Sequence, residues 1–499
     1  MVKFLAGASF VCIAMVLAGV NRGFDISDEG LYVLLADPHQ QNVAGIFNYD
    51  LFFKLIFKLT GYSFSLVELR ITRLLSYLAG AYALARFWKN IRNESQPRPE
   101  IFLISLLALM AGFAFLPPSL SYNSLSVVLI CFWLGLVSGR EVTFSVGLAI
   151  GLLLSLLVYI KVTLALIFIP LSILVLWKRS RLQILFTLLV PFLLFELLFL
   201  GFFGENACTR LFAGIPHTSS RPSYQIGSML KSIAVGGFWI ACSATLFFIV
   251  GYARRVNSKL GILFFVIATM GIVTLSYLTH ITEEWNHLVL ILTAGGLGYC
   301  FGRGSEKATP PSLWLGLLLL LPFFLHLGSN VYWLRIGIHY WVFWVLAAML
   351  CFENGMQWVK IAVPLITVLL VFNGIWAHPF GQDKPLWAQK HPWNRDGRET
   401  VQLDPELLGI MDALREGGGD DPSQPILAAY RIPGLAWLSG TQVPFSPGIW
   451  DQNQLNTFFE TKPEKMIFNH LDSLPPDWRY TQHRDLGTYQ GDSLQLLWD

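Results

Sequence analysis

The stretch "FSVGLAIGLLLSLLVYIKVTLALIFIPLSILVLW", residues 144–177, contains a single charged residue, Lys161. A helix that spans a bilayer needs about 20 apolar residues, so a run of this length is typical of a membrane protein. The run is too long for one span, and we interpret it as two spans, 142–158 and 163–177, that meet at Lys161. A lysine costs about 2.5–3.5 kcal/mol at mid-membrane, so it should either reach the interface or meet an anion.

Apolar runs of this kind recur along most of the chain. Hydrophobic residues make up 54% of the 499 residues, charged residues only 13%, and the mean hydropathy is +0.54. Soluble proteins carry about 25% charged residues. We therefore predict an all-α polytopic membrane domain with about 13 transmembrane helices. The predicted spans are 4–20, 64–87, 101–116, 124–138, 142–158, 163–177, 183–203, 229–251, 260–279, 287–302, 312–327, 336–351 and 358–377.

The basic residues between the spans are concentrated in alternate loops. The loops at 88–98 and 178–181 are basic, whereas those at 117–123 and 280–287 contain no Lys or Arg. The positive-inside rule then places the N-terminus in the cytoplasm and the long loop 21–63 outside. We expect a multi-pass protein of a bacterial inner (plasma) membrane whose C-terminal domain is periplasmic. The net charge of +3 reflects the basic loops, and we expect no nucleic-acid partner.

Near residue 378 the sequence changes from apolar runs to a more polar composition. This change divides it into a transmembrane domain, 1–377, and a C-terminal domain, 378–499. The second part reads as one small extracytoplasmic α/β unit. Its segment "DPELLGIMDAL" has helical spacing, with Asp404 as the N-cap. "PILAAY" and "LQLLW" are typical of short buried strands. Six scattered cysteines predict neither a disulfide framework nor a cysteine metal site.

Carboxylates are concentrated in the first exterior loop, where "GFDISDEGLYVLLADPH", residues 23–39, contains Asp25, Asp28 and Glu29 close together. A solvated loop, a topology marker and a reactive centre are all consistent with this pattern. The second half of the loop places Asp50, Lys54 and Lys58 at intervals of four in an apolar run. This single polar stripe predicts a helix at 43–59 that lies in the membrane interface.

Polar residues at the other exterior borders supply candidate ligands for a substrate. In the turn "LPPSLSYNSLS", Tyr122 and Asn123 either belong to a capped helix start or hydrogen-bond a sugar. Cationic side chains at these borders are candidates for binding phosphate, with a solvated or snorkelling side chain as the alternative in each case. The cations are Lys161, Arg210, Arg221 and Arg335, with Arg70 and Arg73 as further anion contacts or partners of nearby acids.

The segment "THITEEWNHL" contains His280, Glu283, Glu284 and His287, a set of side chains that could bind a metal. It lacks the His-Glu-x-x-His spacing of zinc hydrolases, so we favour an acceptor contact or a surface turn. A transporter needs polar residues at mid-membrane, whereas here acids and bases lie on one side. This arrangement favours chemistry at the exterior interface on a lipid-borne substrate.

The pattern resembles the GT-C class of membrane glycosyltransferases, including the aminoarabinose transferases and the protein O-mannosyltransferases. The resemblance rests on Asp28-Glu29 followed by Gly30 and Tyr32, on the helix at 43–59, and on Lys161 at the outer end of a span. It also rests on the exterior C-terminal domain, where "RIPGLAWLSGTQVPFSPG" is similar to a segment of bacterial members.

The resemblance implies an inverting transferase that moves a sugar from a polyprenyl-phosphate donor to a glycan, lipid or protein acceptor in the bilayer's periplasmic leaflet. Asp28 would act as general base on the acceptor hydroxyl or orient it, and Glu29 would assist through hydrogen bonds or a divalent cation. No other cofactor is implied. Family members often place a second acid in the next exterior loop, where this chain has Tyr122 and Asn123 instead.

Two other functions remain open from the sequence. A multi-pass lipid or solute transporter would share the apolar composition, and a catalytically inactive scaffold of the cell envelope would share the architecture. The acid pair at Asp28 and Glu29 favours the transferase over both.

Overall fold

The computed structural model describes residues 1–43, 47–139, 141, 143–176, 181–219, 225–279, 284–304, 312–351, 356–395, 397, 399–419 and 424–499. Up to residue 377 it is a bundle of helices. The helices are α1 (Val2–Ala18), α2 (Asp28–Ala36), α3 (Asp50–Thr60), α4 (Leu66–Arg92), α5 (Pro99–Met110), α6 (Tyr122–Val137), α7 (Phe144–Leu176), α8 (Arg181–Phe203), α9 (Ala207–Ser219), α10 (Ile226–Val256), α11 (Ser258–Leu278), α12 (Trp285–Arg303), α13 (Ser312–His326), α14 (Trp333–Ile336), α15 (Trp341–Cys351) and α16 (Met356–Val371).

Within the described residues, six helices are long and apolar enough to cross a membrane. Four more apolar helices are shorter and contain 10–17 residues each. The structure therefore confirms a mostly helical protein with several membrane-type helices, but not the predicted count of 13. The six helices are Phe144–Leu176, Phe186–Phe203, Ile226–Val256, Ser258–Leu278, Trp333–Cys351 and Trp358–Ala377.

Helix α7 consists of two helices joined at Lys161, whose backbone is not helical (φ −156°, ψ 89°). Its first half packs along α8, where Gly151 lies against Thr187. Its second half packs against α6, where the indole of Trp133 donates a 2.7 Å hydrogen bond to Ser172. The break thus lies where the sequence places the junction of two apolar segments.

The C-terminal part is a small α/β unit, as predicted from the sequence. A four-stranded sheet has the order β3-β4-β6-β5, in which β3 is parallel to β4 and the other pairs are antiparallel. Asp404 caps α17 by accepting the N–H of Leu407 at 2.9 Å. The elements are β1 (His391–Arg395), β2 (Glu399–Leu403), α17 (Pro405–Glu416), β3 (Leu427–Ala429), α18 (Pro433–Leu438), α19 (Gln452–Phe458), β4 (Lys465–Asn469), β5 (Gln482–Tyr489) and β6 (Asp492–Trp498).

The C-terminal unit docks on the end of the bundle where α1 ends and α4 begins. Strand β2 bonds to the chain after α1, since the N–H of Gly23 donates to the carbonyl of Gln402 at 2.8 Å. The carboxylate of Glu399 accepts the N–H groups of Leu66 and Val67 at 3.2 and 3.1 Å. These N–H groups have no partner within α4, because they belong to its first turn, and the start of a helix favours negative charge.

Helix α2 crosses α18 at a pair of glycines. The N–H of Gly434 donates a 2.8 Å hydrogen bond to the carbonyl of Ile26. A Cβ on Gly30 would overlap the backbone of Gly434, so only glycine permits this approach. The stretch interpreted from the sequence as an acidic loop is therefore a helix, and Glu29–Ala36 of α2 are all buried.

Replacing Gly30 with alanine should destabilise the protein by about 1–3 kcal/mol, because the added methyl overpacks the crossing. The matched control is Gly409→Ala in α17, where a Cβ would meet nothing within 4 Å. That change should be neutral or stabilising by up to about 1 kcal/mol. Unfolding in detergent by denaturant measures both, and equal effects would contradict the crossing.

The acid helix and its arginines

The side chain of Asp25 caps the start of α2, whose N-cap residue is Ser27. Its Oδ2 accepts the N–H groups of Asp28 and Glu29 at 2.8 and 3.1 Å, and its Oδ1 accepts that of Ser27 at 3.1 Å. Burial raises the pKa of Asp25 well above its usual range, and the charge of Asp28 adds to this, while these hydrogen bonds oppose it. The sequence leaves a solvated or a capping role open for Asp25; the capping role is confirmed and the solvated one is wrong.

Glu29 forms a buried ion pair with Arg70 of α4. The Nε of Arg70 donates to Oε1 at 2.9 Å and Nη2 donates to Oε2 at 2.7 Å. Oε1 also accepts the hydroxyl of Ser119. Both side chains are almost fully buried, so each charge depends on the other. Glu29 therefore holds α2 in place, and its oxygens already have partners.

The remaining donors of Arg70 bind the chain that links α1 to α2. Nη1 donates to the carbonyls of Val20 and Arg22, both at 2.9 Å, and Nη2 donates to that of Gly23 at 2.8 Å. With the two bonds to Glu29, these account for all five N–H groups of a guanidinium. Arg70 is thus a structural clamp and has no donor left for a phosphate.

Arg73, one turn further along α4, is also buried. It donates to the carbonyls of Gly112 and Pro117, at 2.9 and 2.5 Å, and its guanidinium lies 4.2 Å from the ring centre of Phe113. Among the described residues it has no carboxylate partner within ion-pair distance. Its contacts fix α4 against the turn that follows α5.

Asp28, the first residue of α2, differs from the other two acids. It is partly exposed, and its carboxylate makes no hydrogen bond or ion pair with any described residue. Burial raises the pKa of Asp28 to about 6, and the positive charge of Arg431 opposes this rise. At neutral pH this carboxylate is ionised and able to accept a proton.

Arg431 comes to Asp28 from the C-terminal unit, three residues before the Gly434 crossing. Its side chain is exposed, and the N–H groups of Tyr430 and Arg431 both donate to the carbonyl of Ile449, at 2.9 and 3.2 Å. Both residues have left-handed backbones, with φ of 70° and 68°. This conformation costs about 1–3 kcal/mol per non-glycine residue and tends to occur at functional sites. Arg431 begins the segment that is similar to one of bacterial GT-C members, but the sequence pattern predicts no role for this residue.

Several buried polar groups near α2 have no hydrogen-bond partner among the described residues. They are the hydroxyls of Tyr32 and Tyr49, the side-chain amide of Asn48 and the Oδ1 of Asn123. The electrostatic influence of Asp28 reaches Tyr32. Buried polar groups are normally hydrogen-bonded, so this set could bind the hydroxyls of a substrate.

Tyr122 lies in an aromatic cluster beside α2. Its ring stacks on Phe47 at 4.0 Å between centres and meets Tyr32 edge-on at 6.0 Å. Ser121 caps α6 through the N–H of Ser124, so this turn is a capped helix start, as one reading of the sequence has it. Tyr122 and the neighbouring Asn123 therefore lie close to the acid helix.

Two predicted phosphate-binding cations already have partners elsewhere. Lys161 is buried at the break in α7, where its Nζ donates to the carbonyl of Leu325 at 3.0 Å. Arg210 binds Asp50 through Nη1 at 2.6 and 2.8 Å, and binds Glu205 through Nη2 at 2.6 Å. Arg210 therefore serves to attach α3 to α9.

The helix predicted at 43–59 begins at Asp50 in the structure, as α3, and 44–46 lie outside the described residues. Its polar stripe contacts neighbouring helices. Asp50 binds Arg210, and Lys58 donates to the carbonyl of Phe202 at 2.8 Å. The stripe thus has protein partners on α8 and α9.

Two of the remaining candidates bind each other. Arg335 forms a 2.6 Å ion pair with Glu284, which lies 3.5 Å from His287. Arg221, His280 and Glu283 lie outside the described residues, so their predicted roles stay predictions. In the part of the chain that the structure describes, no group of three His, Cys, Asp or Glu could hold a metal ion.

Replacing Arg70 with methionine should destabilise the protein by about 3–5 kcal/mol, because Glu29 would remain charged and buried. The double variant Arg70→Met/Glu29→Gln should recover part of this loss. The control is Arg98→Met, which removes an ion pair to Glu94 in which the arginine is half-exposed and should cost under about 0.5 kcal/mol. Denaturant unfolding would contradict the clamp if Arg70→Met and Arg98→Met were equally mild.

Comparisons with known proteins add no relative to this picture. No family model, no curated protein and no solved structure matches the chain.

Proposed function

We propose that this protein is an inverting glycosyltransferase that moves a sugar from a polyprenyl-phosphate donor to a glycan, lipid or protein acceptor. In this proposal it has the GT-C architecture, with about 13 spans in a bacterial inner membrane and the acid helix on the periplasmic face. The observation that carries the proposal is Asp28, a carboxylate with a raised pKa and no hydrogen bond or ion pair to a described residue, within the electrostatic influence of the exposed cation Arg431.

Asp28 is the general base of the proposed reaction. The acceptor hydroxyl attacks the anomeric carbon, a new C–O bond forms, and the bond between that carbon and the phosphate oxygen breaks. Asp28 takes the hydroxyl proton, and the bond electrons leave with the polyprenyl phosphate. A pKa of about 6 suits this step, because a catalytic base works best when its pKa is near the operating pH.

Arg431 is the cation that faces the departing phosphate. Of the cations expected from the sequence, Lys161 and Arg210 are already bound to protein groups. Arg431 is exposed, and a guanidinium can hold a phosphate through two parallel hydrogen bonds. Its fixed backbone keeps the charge in position before substrate binds, which favours electrostatic stabilisation of the transition state.

Glu29 takes a positioning role in this scheme, since Arg70 and Ser119 hold its oxygens. The buried groups of Tyr32, Asn48 and Asn123 would bind sugar or acceptor hydroxyls. Where the sequence suggests that Glu29 assists Asp28 directly, its contacts favour indirect help through the orientation of α2.

One observation favours the transporter alternative: Lys161 is buried at a break in α7, and a buried charged residue at a helix break is typical of transport sites. In transporters such breaks lie near the bilayer midplane. Here the break is next to loop residue Asn48, whose N–H donates to the carbonyl of Tyr159 at 2.8 Å. This location favours the transferase.

Replacing Asp28 with asparagine should lower the transfer rate by about 10²–10⁴-fold, because the base is lost. The assay follows release of undecaprenyl phosphate from a panel of undecaprenyl-phosphate hexoses and pentoses in the presence of envelope lipids. Asp412→Asn, an exposed acid on α17, is the control and should keep full activity. The variant Asp28→Asn should unfold no earlier than the parent, since ionising a carboxyl with a raised pKa opposes folding. Undiminished release would remove Asp28 from its role.

The transfer rate should rise with pH, reach half of its maximum near pH 6 and then level off, as Asp28 loses its proton. Since the charge of Arg431 lowers the pKa of Asp28, Arg431→Gln should move this acid limb to higher pH and also reduce the rate. Arg431→Lys should keep the limb in place. A profile of kcat/KM against pH checks both, because kcat/KM reports the pKa of the free enzyme. An unmoved acid limb in Arg431→Gln would show that Arg431 does not act on Asp28.

A further inference from the structure

A long apolar groove runs along one side of the bundle, between α12, α15 and α16. Its volume is about 560 Å³. Trp285 and Trp358, which are 63% and 77% exposed, lie at its two ends. Its walls include Leu292 and Gly296 of α12, Val345 of α15 and Ile366 of α16.

A polar cavity of about 480 Å³ continues this groove at the end where α12 begins. The two share Trp285, Leu370 and Asn373 in their linings, so an elongated molecule could occupy both. Asn373 belongs to a π-helix, Phe372–Ala377, and such segments often occur at functional sites. The combined space is apolar along its length and polar at one end.

The polar cavity contains a cation and an anion side by side. Arg335 is half-exposed and binds Glu284 through Nε at 2.6 Å. Its other two nitrogens make no hydrogen bond with the described residues. Asn286 holds the backbone beneath it, because its amide donates to the carbonyl of Arg335 at 2.9 Å. The cavity therefore offers free guanidinium donors next to a carboxylate.

The length of the groove favours one hydrocarbon chain of a bilayer lipid. From Trp285 to Leu297 the helix rises about 18 Å, at about 1.5 Å per residue. This is close to half of the hydrocarbon thickness of about 30 Å, which is the depth of one leaflet. The exposed Trp285 at the polar end suits the membrane–water interface, where tryptophan is enriched.

We propose that the groove and cavity form a binding site for phosphatidylethanolamine from the leaflet at that end of the bundle. One acyl chain lies in the groove, the phosphate binds the free nitrogens of Arg335, and the amine of the headgroup binds Glu284. The zwitterionic head matches the adjacent charges of the cavity. Asp28 and Arg431 line neither space, and the lipid site does not depend on the proposed transfer reaction.

The groove is tested by Gly296→Leu, which should fill it. A Cβ on Gly296 meets nothing within 4 Å, so the variant should fold. Gly271→Leu is the control, since Gly271 of α11 is equally open and lies away from the groove. After extraction into detergent, native mass spectrometry should show about tenfold less bound phosphatidylethanolamine in Gly296→Leu only. Equal retention in both variants would overturn the proposal.

The headgroup is tested by incubating the delipidated protein with equal amounts of phosphatidylethanolamine and diglucosyl-diacylglycerol, which has no phosphate. The parent should retain the phospholipid about tenfold better, and Arg335→Gln should lose this preference. Equal retention of both lipids by the parent would overturn the role of Arg335. Displacement of the phospholipid by an equimolar amount of undecaprenyl phosphate would assign the groove to the transferase donor and overturn our choice of occupant.

Discussion

The arrangement of the acid helix depends on one guanidinium. Arg70 uses all five of its N–H groups, two on Glu29 and three on carbonyls of the chain that leaves α1. A buried arginine and a buried glutamate are each costly alone, and their pairing with extra hydrogen bonds offsets that cost. The clamp fixes where α1 ends, where α2 begins and how α4 lies against both.

Because of this clamp, three acids close together in the sequence have three different functions. The carboxylate of Asp25 accepts backbone N–H groups, that of Glu29 binds Arg70, and that of Asp28 makes no hydrogen bond or ion pair with the residues that the structure describes. Each environment is rigid, so the free carboxylate is held on the first turn of a fixed helix. Holding a reactive group on rigid elements is what preorganised catalysis requires.

Structural features that depend on one local segment could be predicted from the sequence. The junction at Lys161, the cap at Asp404 and two of the strands, β3 and β6, follow from local periodicity and capping rules. Contacts between distant segments were not readable. The three acids suggest an exposed loop, because the sequence does not show that the distant α18 covers them. Arg210 likewise looks unpaired in the sequence, because its partner Asp50 is 160 residues away. The left-handed backbone of Arg431 also has no sequence signal, since it is neither glycine nor asparagine.

The contact between α2 and α18 also sets an order of events during synthesis. The segments that meet there are remote in the chain; Gln40 and Val443, which bond to each other just beyond the two helices, are separated by 403 residues. At about 5–20 residues per second, the ribosome needs about 20 s or more to make the second partner after the first. Every membrane helix is therefore made before Arg431 can reach Asp28. The nascent chain lacks the assembled acid–arginine site throughout its insertion, and it gains the site only when the last domain folds.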